Sequence, residues 1–124
     1  MRAYLLVALG GAIGSVLRYG VSLAVPKSHP NAFPWATLLA NLLGCFLIGI
    51  LAGALSKSNW LEQTGWLLLA TGLCGGFTTF STFALENVQF LRGQLLWMSV
   101  LYLCTSVVGG ILLCALGYRI FAAS

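Results

Sequence analysis

Charged residues are scarce in this 124-residue chain: only 6% of its residues are charged, whereas 60% are hydrophobic. A soluble domain carries about 25% charged residues, so the composition argues against a soluble fold. The six basic residues are scattered and form no basic run, which leaves a nucleic-acid partner without support. The composition therefore predicts an integral membrane protein with no soluble enzyme domain beside it.

Groups that carry catalysis or bind metals through side chains are equally few. The acidic residues are Glu62 and Glu86, and the single histidine, His29, lies in a polar loop without a visible partner. The four cysteines stand singly in apolar stretches, without the spacing of a metal site. The sequence thus predicts that the protein is not an enzyme and that its cysteines are packing residues.

Long hydrophobic runs are what the chain has in abundance. Four of them approach the roughly 20 residues that cross about 30 Å of hydrocarbon. They cover residues 4–25, 35–55, 63–91 and 95–121. A proline-rich loop, a short polar loop at 57–62 and a tight turn separate them. We predict an all-α membrane protein in which residues 1–124 form one domain of four transmembrane helices.

The third run contains the stretch Gly72-Leu-Cys-Gly-Gly-Phe-Thr-Thr-Phe-Ser-Thr-Phe83. Gly75 and Gly76 each disfavour a helix interior by about 1 kcal/mol relative to alanine, and two threonines follow. We therefore predict that the third helix is broken near mid-membrane. Irregular backbone at that depth must lie inside protein or beside a cavity, where helix ends can face ions. The alternative is a glycine patch that lets two helices pack closely.

Positive charge is almost evenly divided between the two sides of the predicted bundle. One side carries Arg2, Lys57 and Arg119, and the other carries Lys27 and Arg92, with Arg18 nearby. Orientation in a membrane follows a bias in lysine and arginine, and here the bias is nearly absent. The balance predicts insertion in both orientations and an antiparallel homodimer; one fixed orientation set by another feature is the alternative.

Three polar side chains inside the spans are candidates for function. Arg18 and Glu86 belong to the same side of the membrane, so they either form a structural ion pair or mark an ion path. Arg18 would then stand at the mouth of an anion path, and Glu86 would carry protons. Asn41 offers two amide hydrogens that suit an anion, although it can equally bond two helices together.

Hydroxyl groups and aromatic rings share helix faces around the predicted break. The candidates are Thr37, Phe80, Ser81, Thr82, Phe83, Tyr102 and Ser106. Singly, each ring suits a core or lipid-facing position, and each hydroxyl can bond its own helix. Together they outline a narrow path with donors, positive ring edges and no carboxylate, which favours a small anion.

Three motifs together resemble the Fluc (CrcB-type) fluoride channel family over the whole chain. They are Gly10-Gly-x-x-Gly14-x-x-x-Arg18-Tyr19, Asn41-x-x-Gly44 and Gly75-Gly-Phe-Thr-Thr-Phe-Ser-Thr-Phe83. The third motif is specific, whereas the first two alone are weak. The resemblance implies a dual-topology homodimer in the bacterial inner membrane, with two antiparallel-related pores. Fluoride would leave the cell through them passively, which relieves its toxicity.

The resemblance also implies roles for individual residues. Phe80 and Phe83 would be the pore-facing rings with the Asn41 amide beside them, and Tyr102 and Ser106 would belong to a polar track. A structural sodium ion would lie at the dimer centre, held by main-chain carbonyls of Gly75 and Thr78 from each subunit. From the residues alone, carbonyls freed by a break need a partner in a dry setting.

Two other functions remain open from the sequence. A small proton-coupled drug exporter needs a carboxylate deep in the membrane, typically in its first helix, where this chain offers only Arg18. A non-transporting accessory subunit would use the polar groups as a seam between helices. Flux through purified protein distinguishes these functions from a channel.

Overall fold

The computed structural model describes residues 1–55, 57 and 63–122, and every element within them is helical. The elements are α1 (Arg2–Ala24), α2 (Trp35–Leu55), α3, α4 (Phe80–Arg92) and α5 (Leu96–Ala122). Helix α3 is a π-helical segment, Trp66–Cys74, that continues into a single α-turn, Gly75–Phe77. Most of the polar loop predicted at 57–62 lies outside the described residues.

Four helical segments are long and apolar enough to cross a membrane. They are Arg2–Ala24, Trp35–Leu55, Trp66–Arg92 and Leu96–Ala122. Each has 21 to 27 residues, which matches the thickness of the hydrocarbon core at 1.5 Å per residue. The prediction of a multi-pass, all-helical membrane protein is confirmed, and so is the interruption of the third span.

The interruption falls inside the predicted stretch, but after its glycines. Gly75 and Gly76 are helical, and the break falls at Thr78 and Thr79, whose backbones are extended (φ −84°, ψ 160° and φ −149°, ψ 124°). The π-helical segment already widens the turns before them, which is a common feature of functional sites. Extended backbone suits β-branched threonine, so these two residues, not the glycines, interrupt the helix.

The glycines instead allow α1 and α3 to touch along their backbones. A Cβ at Gly14 would overlap the Leu73 carbonyl oxygen, and a Cβ at Gly10 would overlap the Leu68 carbonyl oxygen. A Cβ at Gly76 would lie 3.0 Å from the Gly11 Cα. Close packing by small residues is the means of association available to helices in lipid. The glycine-patch alternative therefore holds together with the break.

Helices α2 and α5 also pack closely through glycine residues. A Cβ at Gly49 would overlap the Cys114 carbonyl oxygen, and one at Gly53 would overlap the Tyr118 carbonyl oxygen. From the opposite side, a Cβ at Gly117 would overlap the Phe46 carbonyl oxygen. The bundle thus consists of two closely packed pairs, α1 with α3 and α2 with α5, and the break in the third span lies between them.

Candidate functional site

The Asn41 side chain binds the backbone of the break directly. Its Oδ1 accepts a hydrogen bond from the Thr79 N–H at 2.8 Å, and its Nδ2 donates to the Thr79 carbonyl at 3.0 Å. This pair of bonds replaces the helical partners that Thr79 lacks. Asn41 therefore bonds α2 to the third span, which is one of the two roles considered for it from the sequence. An amide carries two hydrogens, so a second one is left for a ligand.

Helix α4 begins next to the two Asn41–Thr79 hydrogen bonds, and Thr79 is its N-cap residue. The Thr79 hydroxyl accepts a hydrogen bond from the Thr82 N–H at 3.2 Å and donates to the Thr82 hydroxyl at 3.2 Å. The Ser81 hydroxyl lies 3.4 Å from the same oxygen. A helix N-terminus points backbone N–H groups outward and carries partial positive charge. This end of α4 therefore favours an anion.

A groove of about 480 Å³ opens along the break on one face of the protein. Its lining includes Asn41, Ser106, Phe80 and Phe83. The Ser106 oxygen is buried and has no hydrogen-bond partner among the described residues. Within the described part of the chain, no acidic side chain lines the groove. It thus offers donors and ring edges without a competing negative charge.

The two phenylalanines meet at a ring-centroid distance of 5.7 Å, but their surroundings differ. Phe80 is 79% exposed, whereas Phe83 is 8% exposed and packs edge-on against Tyr102, with centroids 4.9 Å apart. Phe83 is therefore fixed by the core, and Phe80 lies exposed at the groove.

A second cavity, of about 320 Å³, lies at the opposite side of the break. It is lined by Ser15, Arg18, Tyr19, Ser22, Ala36, Thr37, Thr79 and Thr82. The Arg18 Nε donates to the Gly76 carbonyl at 3.1 Å. The two cavities share Thr79, so the break separates a basic pocket from the groove.

The ion pair considered between Arg18 and Glu86 does not form. Arg18 is held by α3, whereas Glu86 is 6% exposed and has other partners. Its Oε1 accepts a hydrogen bond from the Tyr102 hydroxyl at 3.2 Å, and its Oε2 lies 3.2 Å from the Lys27 Nζ. The extended backbone at the break separates α4 from α3, so Glu86 faces α5 and the loop before α2.

Tyr102 therefore lies apart from Ser106 despite their spacing of one turn. Its side chain is fully buried, with its hydroxyl bonded to Glu86 and its ring packed against Phe33, Phe83 and Phe90. The Thr37 hydroxyl lies beside the same phenol oxygen. Tyr102 thus stands behind Phe83, and Ser106 lines the groove itself.

Two main-chain carbonyls at the break lose their helical donors. In a continuous helix the Gly75 carbonyl would accept from Thr79 N–H, which instead donates to Asn41. The Thr78 carbonyl would accept from Thr82 N–H, which instead donates to the Thr79 hydroxyl. Gly75 and Thr78 both line the groove. Main-chain carbonyl oxygens are ligands that hard cations prefer.

All but one of the predicted site residues lie in three places. Asn41, Gly75, Thr78, Phe80, Phe83 and Ser106 line the groove; Arg18, Thr37 and Thr82 line the basic pocket; Glu86 and Tyr102 lie buried behind them. Ser81 is exposed at the start of α4. Sequence reasoning missed Thr79, which lines both cavities, and Lys27, which pairs with Glu86. The presence of Lys27 and Glu86 on one side of the membrane was the available signal for their pairing.

Known proteins resemble this chain over nearly its whole length. The family model described as "CrcB-like protein, Camphor Resistance (CrcB)" matches residues 5–118. A protein of Azobacteroides pseudotrichonymphae named "Fluoride-specific ion channel FluC" is 44% identical over 118 residues, which cover 95% of this chain and 94% of that protein.

Two proteins from different strains of Thermus thermophilus carry the same name. One is 46% identical over 123 residues, covering 99% of this chain and 98% of its own. The other is 48% identical over 120 residues, covering 97% of this chain and 94% of its own. A match of this extent leaves no room for a different fold or an added domain within the aligned residues. The chain belongs to the CrcB-like family of membrane proteins.

Proposed function

We propose that this chain is a fluoride-selective channel that lets fluoride leave the bacterial cytoplasm passively across the plasma membrane, and so lowers fluoride toxicity. The relatives that share 44% to 48% of its residues are named as fluoride-specific channels. The structural observation that carries the proposal is the broken third span. Thr79 at this break lines both a basic pocket and a groove, and the described lining of the groove has donors and no acidic side chain.

The path follows from the two cavities. Fluoride enters the basic pocket beside Arg18, where positive charge attracts it and the Thr82 hydroxyl replaces part of its water. It then passes Thr79 at the N-terminal end of α4, where partial positive charge assists it. Beyond Thr79 it meets the free amide hydrogen of Asn41.

Within the groove the ligands are weak, which suits conduction. The Ser106 hydroxyl is a buried donor without a partner in the part of the protein that the structure describes, and the Phe80 and Phe83 rings present positively polarised edges. An ion must bind well enough to enter and loosely enough to leave. Neutral donors and ring edges meet both conditions, whereas a row of arginines would retain the anion.

The proposal is tested with purified protein in liposomes loaded with fluoride or chloride. We expect fluoride to leave down its gradient without a proton gradient, and chloride to remain inside. Flux that requires a proton gradient would instead support the exporter, and protein that passes no ion would support an accessory subunit. Protein-free liposomes give the background leak of hydrogen fluoride.

We further propose that the channel is an antiparallel homodimer with sodium at its centre. The groove is open on the protomer and Phe80 is exposed within it, so a second copy would complete the wall. The nearly balanced positive charge supports insertion in both orientations. The carbonyls of Gly75 and Thr78 fit a hard cation, and two copies would supply four such oxygens.

A pair of orientation-biased variants tests this assembly. Ser28→Lys with His29→Lys adds charge to one side, and Ala3→Lys with Ala122→Lys adds it to the other. We expect each variant alone to give no fluoride flux, and co-expression to restore it. The restored protein should unfold at a lower temperature when sodium is replaced by N-methylglucamine, because ligand binding stabilises the folded state. Full activity of either variant alone would overturn antiparallel assembly, and equal unfolding temperatures in both buffers would overturn the sodium site.

A further inference from the structure

Lys27 makes an ion pair that reaches from a loop into the buried part of the protein. It belongs to the loop between α1 and α2, yet its side chain is only 32% exposed. Its Nζ lies 3.2 Å from the Glu86 Oε2, and the Glu86 side chain is 7% exposed. Lysine in a surface loop ordinarily extends its ammonium group into water. This one is turned inward.

The loop is built to hold Lys27 in that place. Pro26 precedes it and restricts the local backbone. At the end of the same loop Pro34 is fully buried, and the Phe33 ring packs against Tyr102 with centroids 5.5 Å apart. The loop is thus anchored to the same buried cluster that contains Glu86. The far end of the loop is therefore fixed to this cluster, and Lys27 reaches the carboxylate from the near end.

The pair stands directly behind the wall of the groove. Glu86 accepts a hydrogen bond from Tyr102, and the Tyr102 ring contacts Phe83 at 4.9 Å with an interplanar angle of 68°. Phe83 lines the groove. A buried carboxylate without a partner would act on an anion through this low-dielectric wall, since charges inside proteins are poorly screened. The ammonium group of Lys27 cancels that repulsion.

We propose that Lys27 is a positioning residue that keeps the Glu86 carboxylate paired, so that the channel carries no uncompensated negative charge beside the path of the anion. The inference rests on the proposed fluoride channel. Among the described residues, the charged or titratable groups bonded to Glu86 are Lys27 and Tyr102. With both in place its two oxygens are satisfied and its charge is balanced.

The test is fluoride current across a planar bilayer, because neutral hydrogen fluoride carries no current. Lys27→Met should lower the current about tenfold near neutral pH, since it leaves a buried charge unpaired. The loss should be largely reversed in Lys27→Met/Glu86→Gln, which leaves no carboxylate beside the path of the anion. Lys27→Arg should keep most of the current.

Arg92→Gln is the matched control, since it removes one positive charge on the same side of the membrane at an exposed position. Its current should stay within about twofold of the unmodified protein, because an exposed charge is screened by salt. A Lys27→Met current that equals the unmodified one, or one that the added Glu86→Gln change does not restore, would overturn the inference. If Lys27→Met does not fold, Lys27→Gln is measured in its place by the same criteria. Absence of current in the unmodified protein would instead overturn the proposed function.

Discussion

Replacing Asn41 with alanine is expected to abolish fluoride flux and to destabilise the fold. The substitution removes both hydrogen bonds to Thr79, of 2.8 Å and 3.0 Å. A buried backbone group left without a partner costs about 1 to 3 kcal/mol. Because the two Thr79 groups are only partly buried, we expect a loss of about 1 to 3 kcal/mol for the pair, which is a sizeable fraction of the roughly 5 to 15 kcal/mol that stabilises a typical protein. Thermal unfolding in detergent and flux from liposomes measure the two effects.

The matched control is Leu39→Ala on the same helix. Leu39 is exposed in the protomer, so truncating it removes a similar volume without releasing a backbone group. We expect its flux to remain within about twofold of the unmodified protein and its unfolding temperature to change little. An Asn41→Ala protein that unfolds at the same temperature as the unmodified protein and still conducts fluoride would show that the Asn41–Thr79 hydrogen bonds are dispensable.

The fold was largely predictable because the bilayer constrains it so strongly. Runs of about 20 apolar residues admit few structures other than helices, and α1, α2 and α5 lie where their runs predict. The exact break was not predictable from propensity. Glycine disfavours an isolated helix, but Gly76 is held in a helix by its backbone contact with Gly11. That contact depends on how α1 and α3 pack, which single-residue propensities do not describe.

Most of the residues that line the two cavities were among the candidates from the sequence, but the hydrogen-bond and ion-pair partners of the polar candidates were not predicted. Polar groups inside a membrane are costly and few, so composition alone identifies Asn41 and Glu86 as candidates. Their partners depend on the direction in which α4 leaves the break. Extended backbone at Thr78 and Thr79 turns Glu86 toward Lys27 and away from Arg18. Helical spacing likewise predicts that Tyr102 and Ser106 lie on one face of α5. In the structure, however, Phe83 lies between Tyr102 and the groove.

Phe80→Ile is expected to leave the protomer folded and to reduce fluoride flux about a hundredfold, because isoleucine has no polarised ring edge to replace the water that the anion sheds. Phe80 is 79% exposed in the protomer, so the change should alter the free energy of unfolding by less than about 1 kcal/mol. A fluoride-selective electrode outside loaded liposomes gives the flux, and thermal unfolding gives the stability.

Two further variants make the Phe80 result specific. Phe121→Ile makes the same chemical change near the end of α5, outside the groove lining, and should retain most of the flux. Phe83→Ile should lose flux and also stability, by about 1 to 3 kcal/mol, because its buried ring supports Tyr102. If both variants lose flux but only Phe83→Ile loses stability, then the Phe80 ring acts on the ion alone, whereas the Phe83 ring also packs in the core. Flux from Phe80→Ile at half the unmodified rate or more would contradict the role of the ring edge.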